Sequence, residues 1–237
     1  MTAAHWLIKT AQRLGLPIQR WPDPASRVLH LRRLVELLTI DLVLDVGAHE
    51  GEFARELRQD VHYRGDIISF EPAAAAAAVL RRVASQDSGW KIQQIALGNQ
   101  AGSAELRHYF QSQLNSLRPP SHFGRETWHM HESTVETVRV ARLDELALDL
   151  QKSKGIFLKV DTQGNDLAVL AGAEKILSGV KALQIEVPVI PLYEGTPLLE
   201  ETLREVERLG FAISGLFPVA HDAGLRLIEV DLVALRA

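Results

Sequence analysis

The chain has 237 residues, no cysteine and a formal net charge of −4; it is 46% hydrophobic and 24% charged. That length and balance suit one soluble α/β domain with a full core. The absence of cysteine excludes a disulfide framework and thiolate zinc sites, and scattered arginine pairs such as Arg32-Arg33 and Arg81-Arg82 make no basic patch for a nucleic-acid partner.

The N-terminal stretch "MTAAHWLIKTAQRLGLPIQRW" is interrupted by Lys9 and Arg13. It lacks the unbroken apolar run of a signal peptide and the length of a transmembrane segment, so a cytoplasmic protein is expected. Helices are expected over 3–14 and 26–39, separated by Pro17, Pro22 and Pro24; residues 1–40 read as a helical N-terminal extension ahead of a domain over 41–237.

From residue 42 onward apolar runs alternate with helical stretches. Strands are expected at "LVLDV" (42–46), "DIISF" (66–70), "KIQQIAL" (91–97), "IFLKVD" (156–161) and "KALQIEV" (181–187), and helices near 51–59, 73–84, 166–177 and 198–209. Continuous apolar strands alternating with helices imply a doubly wound, mostly parallel sheet. The last two runs, "FAISGLF" (211–217) and "RLIEVDLVAL" (226–235), are too close for a crossover helix and should pair antiparallel at one edge. An insertion over about 103–140, in which "AELRHYF" and "VETVRVARL" bracket a polar, histidine-rich segment, has the character of a functional loop.

The first strand ends in "LVLDVGAHEGEF" (42–53). A strand opening into glycines and a helix start is a nucleotide-binding arrangement. The string G-x-x-x-x-G-K-[ST] is absent, which excludes a P-loop. The spacing Asp45, Gly47, Gly51 lacks the middle glycine of a dinucleotide fingerprint, and Asp45, Glu50 and Glu52 put negative charge where a pyrophosphate would lie. A ligand with a positive amino group and no phosphate suits it better, and S-adenosylmethionine is such a ligand. Asp45 would then hold the methionine end, directly or through water, with Gly47 admitting the backbone. Glu71, ending the second strand, would accept the ribose hydroxyls, with Pro72 opening the next helix. Taken alone, each acid also reads as an ordinary first-turn charge.

The strings "LDVGAHEGEF", "FEP", "IALGN", "KVDTQGND" and "IEV" stand in the order and approximate spacing of the FkbM family of S-adenosylmethionine-dependent methyltransferases, which the chain resembles over roughly 40–235. The resemblance implies the class I methyltransferase (Rossmann-like) fold, a seven-stranded mostly parallel sheet with an antiparallel last strand. It also implies O-methylation of a hydroxyl on a small molecule, sugar or natural product, hence a small-molecule or glycan acceptor. By match, Asp45, Gly47, Ala48, Gly51, Glu71 and Pro72 become cofactor residues together with His49, which stands where the family usually carries asparagine. Gln94 and Ala96 fall near the adenine. Asn115 and Ser116 match an Asn-Ser pair assigned to the substrate side. Gln163 and Asp166 stand where the family usually carries glutamates.

Transfer to an unactivated hydroxyl needs a proton acceptor. Asp161 is the first candidate, also as a ligand anchor; Lys159 would tune it, and Glu186 ends the next strand. A structural ion pair under the cleft is the alternative reading of these groups. His129 and His131, with other histidines of the insertion, would shape the substrate pocket. Asp161, Asp166 and Glu186 leave a divalent cation open, and oligomeric state, homo-oligomer included, is equally open. Two other functions remain: a nicotinamide-dependent oxidoreductase, and a catalytically inactive S-adenosylmethionine-binding protein.

Overall fold

A computed structural model describes residues 26–150 and 152–237. The helix expected over 3–14 and the first part of the N-terminal extension lie outside the described residues. Helix α1 (Arg27–Leu37) starts on Ser26, whose hydroxyl accepts from Leu29 N, and buries Leu31, Leu34 and Val35.

The main sheet contains β1 (Leu42–Val46), β2 (Asp66–Phe70), β3 (Trp90–Gln93), β7 (Ile156–Val160), β8 (Val180–Pro188), β9 (Phe211–His221) and β10 (Leu227–Arg236), in the spatial order β3-β2-β1-β7-β8-β10-β9. Strand β10 runs antiparallel to both β8 and β9, while the pairs among β1, β2, β3, β7 and β8 are parallel. This is the seven-stranded class I methyltransferase architecture. Strands β1 and β7 are buried along their whole length, as expected for strands covered on both faces.

Two expectations are corrected in detail. The run 91–97 is not one strand. After Gln93 the chain turns, Ile95 N bonding back to Gln93 O, and β4 (Ala96–Leu97) pairs instead with β6 (Glu132–Ala141). Strand β5 (Gly102–Tyr109) pairs antiparallel with β6, so the flanks of the insertion build a second, three-stranded sheet. The helix expected over 166–177 stops early, as α5 (Asp166–Ala171), where Gly172 packs against the carbonyl of Gly98 with no room for a side chain.

The remaining helices are α2 (Glu52–Glu56), continued by a π-helical turn over 57–61, α3 (Ala74–Ala84), α4 (His122–Thr127) and α6 (Leu199–Arg208). One apolar cluster, with Leu44, Leu158 and Ile185, fills one side of the sheet; a second, with Leu31, Val43, Phe53 and Phe157, joins α1 and α2 to the other. The carboxyl ends of the parallel strands lie where open α/β sheets bind their ligands.

Candidate active site

The loop after β1 is a run of left-handed turns. Gly47 has φ +74° and Gly51 φ +90°, with His49 between them at φ +47°. Gly47 N and Ala48 N both donate to Phe70 O, at 3.0 and 3.1 Å, tying the loop to the end of β2. Glu71 completes the tie: Oε2 accepts from His49 N at 2.8 Å and Oε1 from Ala73 N at 2.8 Å. Burial pushes the Glu71 carboxyl above its ordinary range, against those two N–H groups. Each oxygen keeps a lone pair for a further donor. The His49 ring bridges outward, Nε2 lying 2.9 Å from Ser112 Oγ and Nδ1 3.2 Å from Glu52 Oε1, which links the loop to the insertion.

Beneath this loop a polar row crosses the sheet, because the register aligns Ser69, Asp45, Lys159 and Gln184 on neighbouring strands. Trp90 Nε1 donates to Ser69 Oγ (2.9 Å), and Ser69 Oγ donates to Asp45 Oδ2 (3.0 Å). Lys159 Nζ lies 3.3 Å from Asp45 Oδ1, 3.3 Å from Asp161 Oδ2 and 3.0 Å from Gly47 O. Burial alone would discharge Lys159; the carboxylates of Asp161 and Asp45 outweigh it and hold the ammonium above its ordinary value. Burial likewise pushes Asp45 up, opposed by Lys159 and Ser69. Further along, Gln184 Nε2 donates to Asp231 Oδ1 (3.1 Å), and Arg27 of α1 pairs with both Asp231 (3.1 Å) and Glu56 (2.7 Å).

Asp161 follows β7 with its side chain 27% exposed. Gln163, held at φ +53°, bridges it to β8: Nε2 donates to Asp161 Oδ1 (3.0 Å) and Glu186 Oε2 (2.7 Å). Burial pushes Glu186 well above the carboxylate range, and the negative charges of Asp161, Glu229 and Asp231 add to it. Asp166 is turned away to brace the turn, accepting from Thr162 N (2.8 Å), Thr162 Oγ1 (2.9 Å) and Gly164 N (3.2 Å). Among the described residues no group of three or more histidine, aspartate or glutamate side chains could hold a metal ion.

A cavity of about 380 Å³ runs over these strand ends. Its lining combines apolar side chains such as Ile95, Leu97 and Leu106 with the loop residues Gly47, Ala48, His49, Glu71, Pro72 and Ala96 and with Lys159, Asp161, Glu186, Asn115 and Ser116. Five expected residues do not line it. Asp45 is fully buried in the polar row, so its carboxylate supports the loop from below. Gly51 caps α2, where a β-carbon would press on Leu80 and Trp90. Gln94 is exposed and accepts from Arg81 at 2.7 Å. His129 and His131 face outward, while Met130 between them is the buried anchor, packed with Tyr109, Leu114 and Tyr193.

Asn115 and Ser116 line the cavity but spend their polar groups on structure. Asn115 Oδ1 accepts from Tyr109 N at 3.0 Å, and Ser116 Oγ donates to Gln163 O at 2.7 Å. Sequence reasoning missed Arg27, Glu56, Gln184, Tyr193 and Asp231. An acid inside the apolar run "RLIEVDLVAL" was a usable signal for Asp231; Tyr193, in a loop between β8 and α6, gave none.

Residues 45–213 match the model of the methyltransferase FkbM domain. The chain is similar to "2-O-methyltransferase NoeI" of Sinorhizobium fredii (strain NBRC 101917 / NGR234), 23% identical over 199 residues that cover 80% of this chain and 81% of that protein. Among solved structures it is similar to magnesium protoporphyrin IX methyltransferase (ChlM) from Synechocystis PCC 6803 with bound SAM, 10% identical, covering 100% of this chain and 98% of that one with a TM-score of 0.48. It is also similar to an rRNA methylase from Streptococcus thermophilus, 11% identical, covering 89% and 97% with a TM-score of 0.46. The family match replaces the nicotinamide alternative.

Proposed function

The chain belongs to the FkbM methyltransferase family, and from that premise we propose that it is an O-methyltransferase acting on a hydroxyl of a sugar or other small molecule. S-adenosylmethionine, the donor of this family, supplies a methyl group activated on a sulfonium. The cavity is of the size that small ligands use, and its donor set suits this one. Ile95 and Leu97 would flank the flat base, and the free lone pairs of Glu71 would take the ribose hydroxyls. The backbone carbonyls of 47–49, whose N–H groups are spent on Phe70 and Glu71, would accept from the ammonium of the methionine part. Carboxylates at Glu52, Glu71 and Asp161 suit a cation and repel phosphate.

Asp161 would accept the proton of the acceptor hydroxyl as that oxygen bonds to the methyl group. Lys159, fixed between Asp45 and Asp161, aims the carboxylate, and Gln163 with Glu186 holds its other side. Positioning is the main demand, since an in-line displacement gains most from alignment. The same reading makes 41–237 the catalytic domain and 1–40 an extension ahead of it, working in the cytoplasm on a small-molecule or glycan acceptor. The relative named as a 2-O-methyltransferase supports oxygen as the methylated atom.

One observation carries the reading: a single cavity joins Glu71 at the end of β2 to Asp161 and Glu186 at the ends of β7 and β8. The test incubates the purified protein with S-adenosylmethionine and a panel of hydroxylated sugars and small alcohols. S-adenosylhomocysteine and a methyl ether on one acceptor are expected. Donor binding by calorimetry without product on any acceptor would favour the inactive binding protein.

A further inference from the structure

The hydrogen bonds on the two sides of the Gln163 amide compete for protons. Tyr193, 2% exposed, holds its hydroxyl 2.8 Å from Leu114 O and 2.8 Å from Gln163 Oε1. Burial pushes this phenol well above its ordinary value, so it carries its one proton, and both neighbours are acceptors. If that proton goes to Gln163, the Leu114 carbonyl faces a bare oxygen. If it goes to Leu114, Gln163 Oε1 faces one. Turning the amide over relieves the second conflict. Nε2 then donates to Tyr193, and Oε1 faces Asp161 and Glu186, where it can accept only if the pair holds a proton.

We propose that Gln163 is a positioning residue for the proton acceptor, coupling the protonation of the Asp161–Glu186 pair to the Tyr193 hydroxyl and, through it, to the cavity wall at 112–116. The inference rests on the reading of Asp161 as the proton acceptor of O-methyl transfer. In that step the acceptor O–H bond breaks, the oxygen–methyl bond forms, and the sulfur–methyl bond breaks with its electron pair left on sulfur. The proton passes to Asp161 and is shared with Glu186, the amide turns, and the Tyr193 hydroxyl, keeping its proton, donates its hydrogen bond to Leu114 O. Loss of the proton to water restores the starting arrangement.

Three features fit this role. Gln163 is held in the left-handed region, where a non-glycine side chain stores strain at functional sites, and its own carbonyl is pinned by Ser116 Oγ at 2.7 Å. Ser112, Asn115 and Ser116, next to the Leu114 carbonyl, line the cavity. The charges facing Glu186 pull in opposite senses: Lys159 of β7 favours the carboxylate, whereas Asp161 after β7 and Glu229 and Asp231 of β10 favour a retained proton.

The test is a carbon-13 NMR titration of the carboxyl groups of the full chain, with Glu186 assigned through E186Q, in the parent, Q163M, Y193F and the double variant. Q163M removes N–H donors from the carboxylates and should raise the Glu186 midpoint by about one to two pH units. Y193F should move it as well, and Q163M should then shift it less than in the parent. The pH profile of kcat should move with the midpoint while the donor Kd stays within about twofold, which a purely structural role would not produce. Midpoints unmoved by both substitutions, or strictly additive shifts, would overturn the coupling. The titration needs no acceptor, so shifted midpoints in a protein that transfers no methyl group would uphold the coupling and sink the O-methyltransferase reading instead.

Discussion

Gly47 and Asp161 share one space: a β-carbon on Gly47 would fall inside the carbonyl group of Asp161. The first loop is therefore locked against the strand end that carries the candidate proton acceptor, with Asp161 N also donating to Val46 O at 3.0 Å. Gly47→Ala adds that collision to an unfavourable φ of +74°. It should cost about 1–3 kcal/mol of stability and weaken donor binding by roughly tenfold. Thermal melts and calorimetry with S-adenosylhomocysteine check both; unchanged affinity would detach the glycine from the donor site.

Lys159 lies between the carboxylates of Asp45 and Asp161, and its side chain is 7% exposed beside an Asp45 that is 0% exposed. Lys159→Met leaves a buried carboxylate unpaired and should destabilise the fold by about 3–5 kcal/mol. Denaturant midpoints against the parent measure this. A loss below about 1 kcal/mol would mean that Asp45 is already neutral and the pair is not ionic.

What the sequence made legible was periodic. Buried strands β1 and β7 and the antiparallel pair β9–β10 followed from apolar runs and short connections, and the acids at 45, 71, 161 and 186 could be placed at strand ends. Which way Asp45 turns depends on partners 24 and 114 residues away, Ser69 and Lys159, and their alignment is set by strand register. No local pattern encodes that. His129 and His131 looked functional by residue type, but Met130 between them takes the buried position in its cluster and leaves them exposed. Gln163 stood out only as a departure from a family pattern, and its grip on two carboxylates required the fold to bring β7, β8 and Tyr193 together.

Asp161→Asn keeps the shape of the side chain and removes its basicity. Turnover should fall by about 10²–10⁴-fold, the usual contribution of general base catalysis. Donor affinity, measured separately by calorimetry, should stay within about threefold, because the donor is held by other groups. Equal losses in both would make Asp161 a cofactor anchor.

Glu229 gives a prediction about stability. It is 8% exposed, and burial, with Asp161, Asp166 and Asp231 adding negative charge, pushes its carboxyl from an ordinary 4.5 up to about 8. An acid with a raised folded pKa binds its proton more tightly in the native state than in the unfolded chain. Its contribution is therefore fully present below about pH 4.5 and drains away as pH rises through about 8. Glu229→Gln mimics the protonated form at every pH. The variant should match the parent in urea midpoint near pH 4 and exceed it above pH 8, with the gap opening from about 4.5 upward. If the two curves stay parallel across this window, Glu229 is not the titrating group, and the charge crowding at the end of β10 is relieved elsewhere.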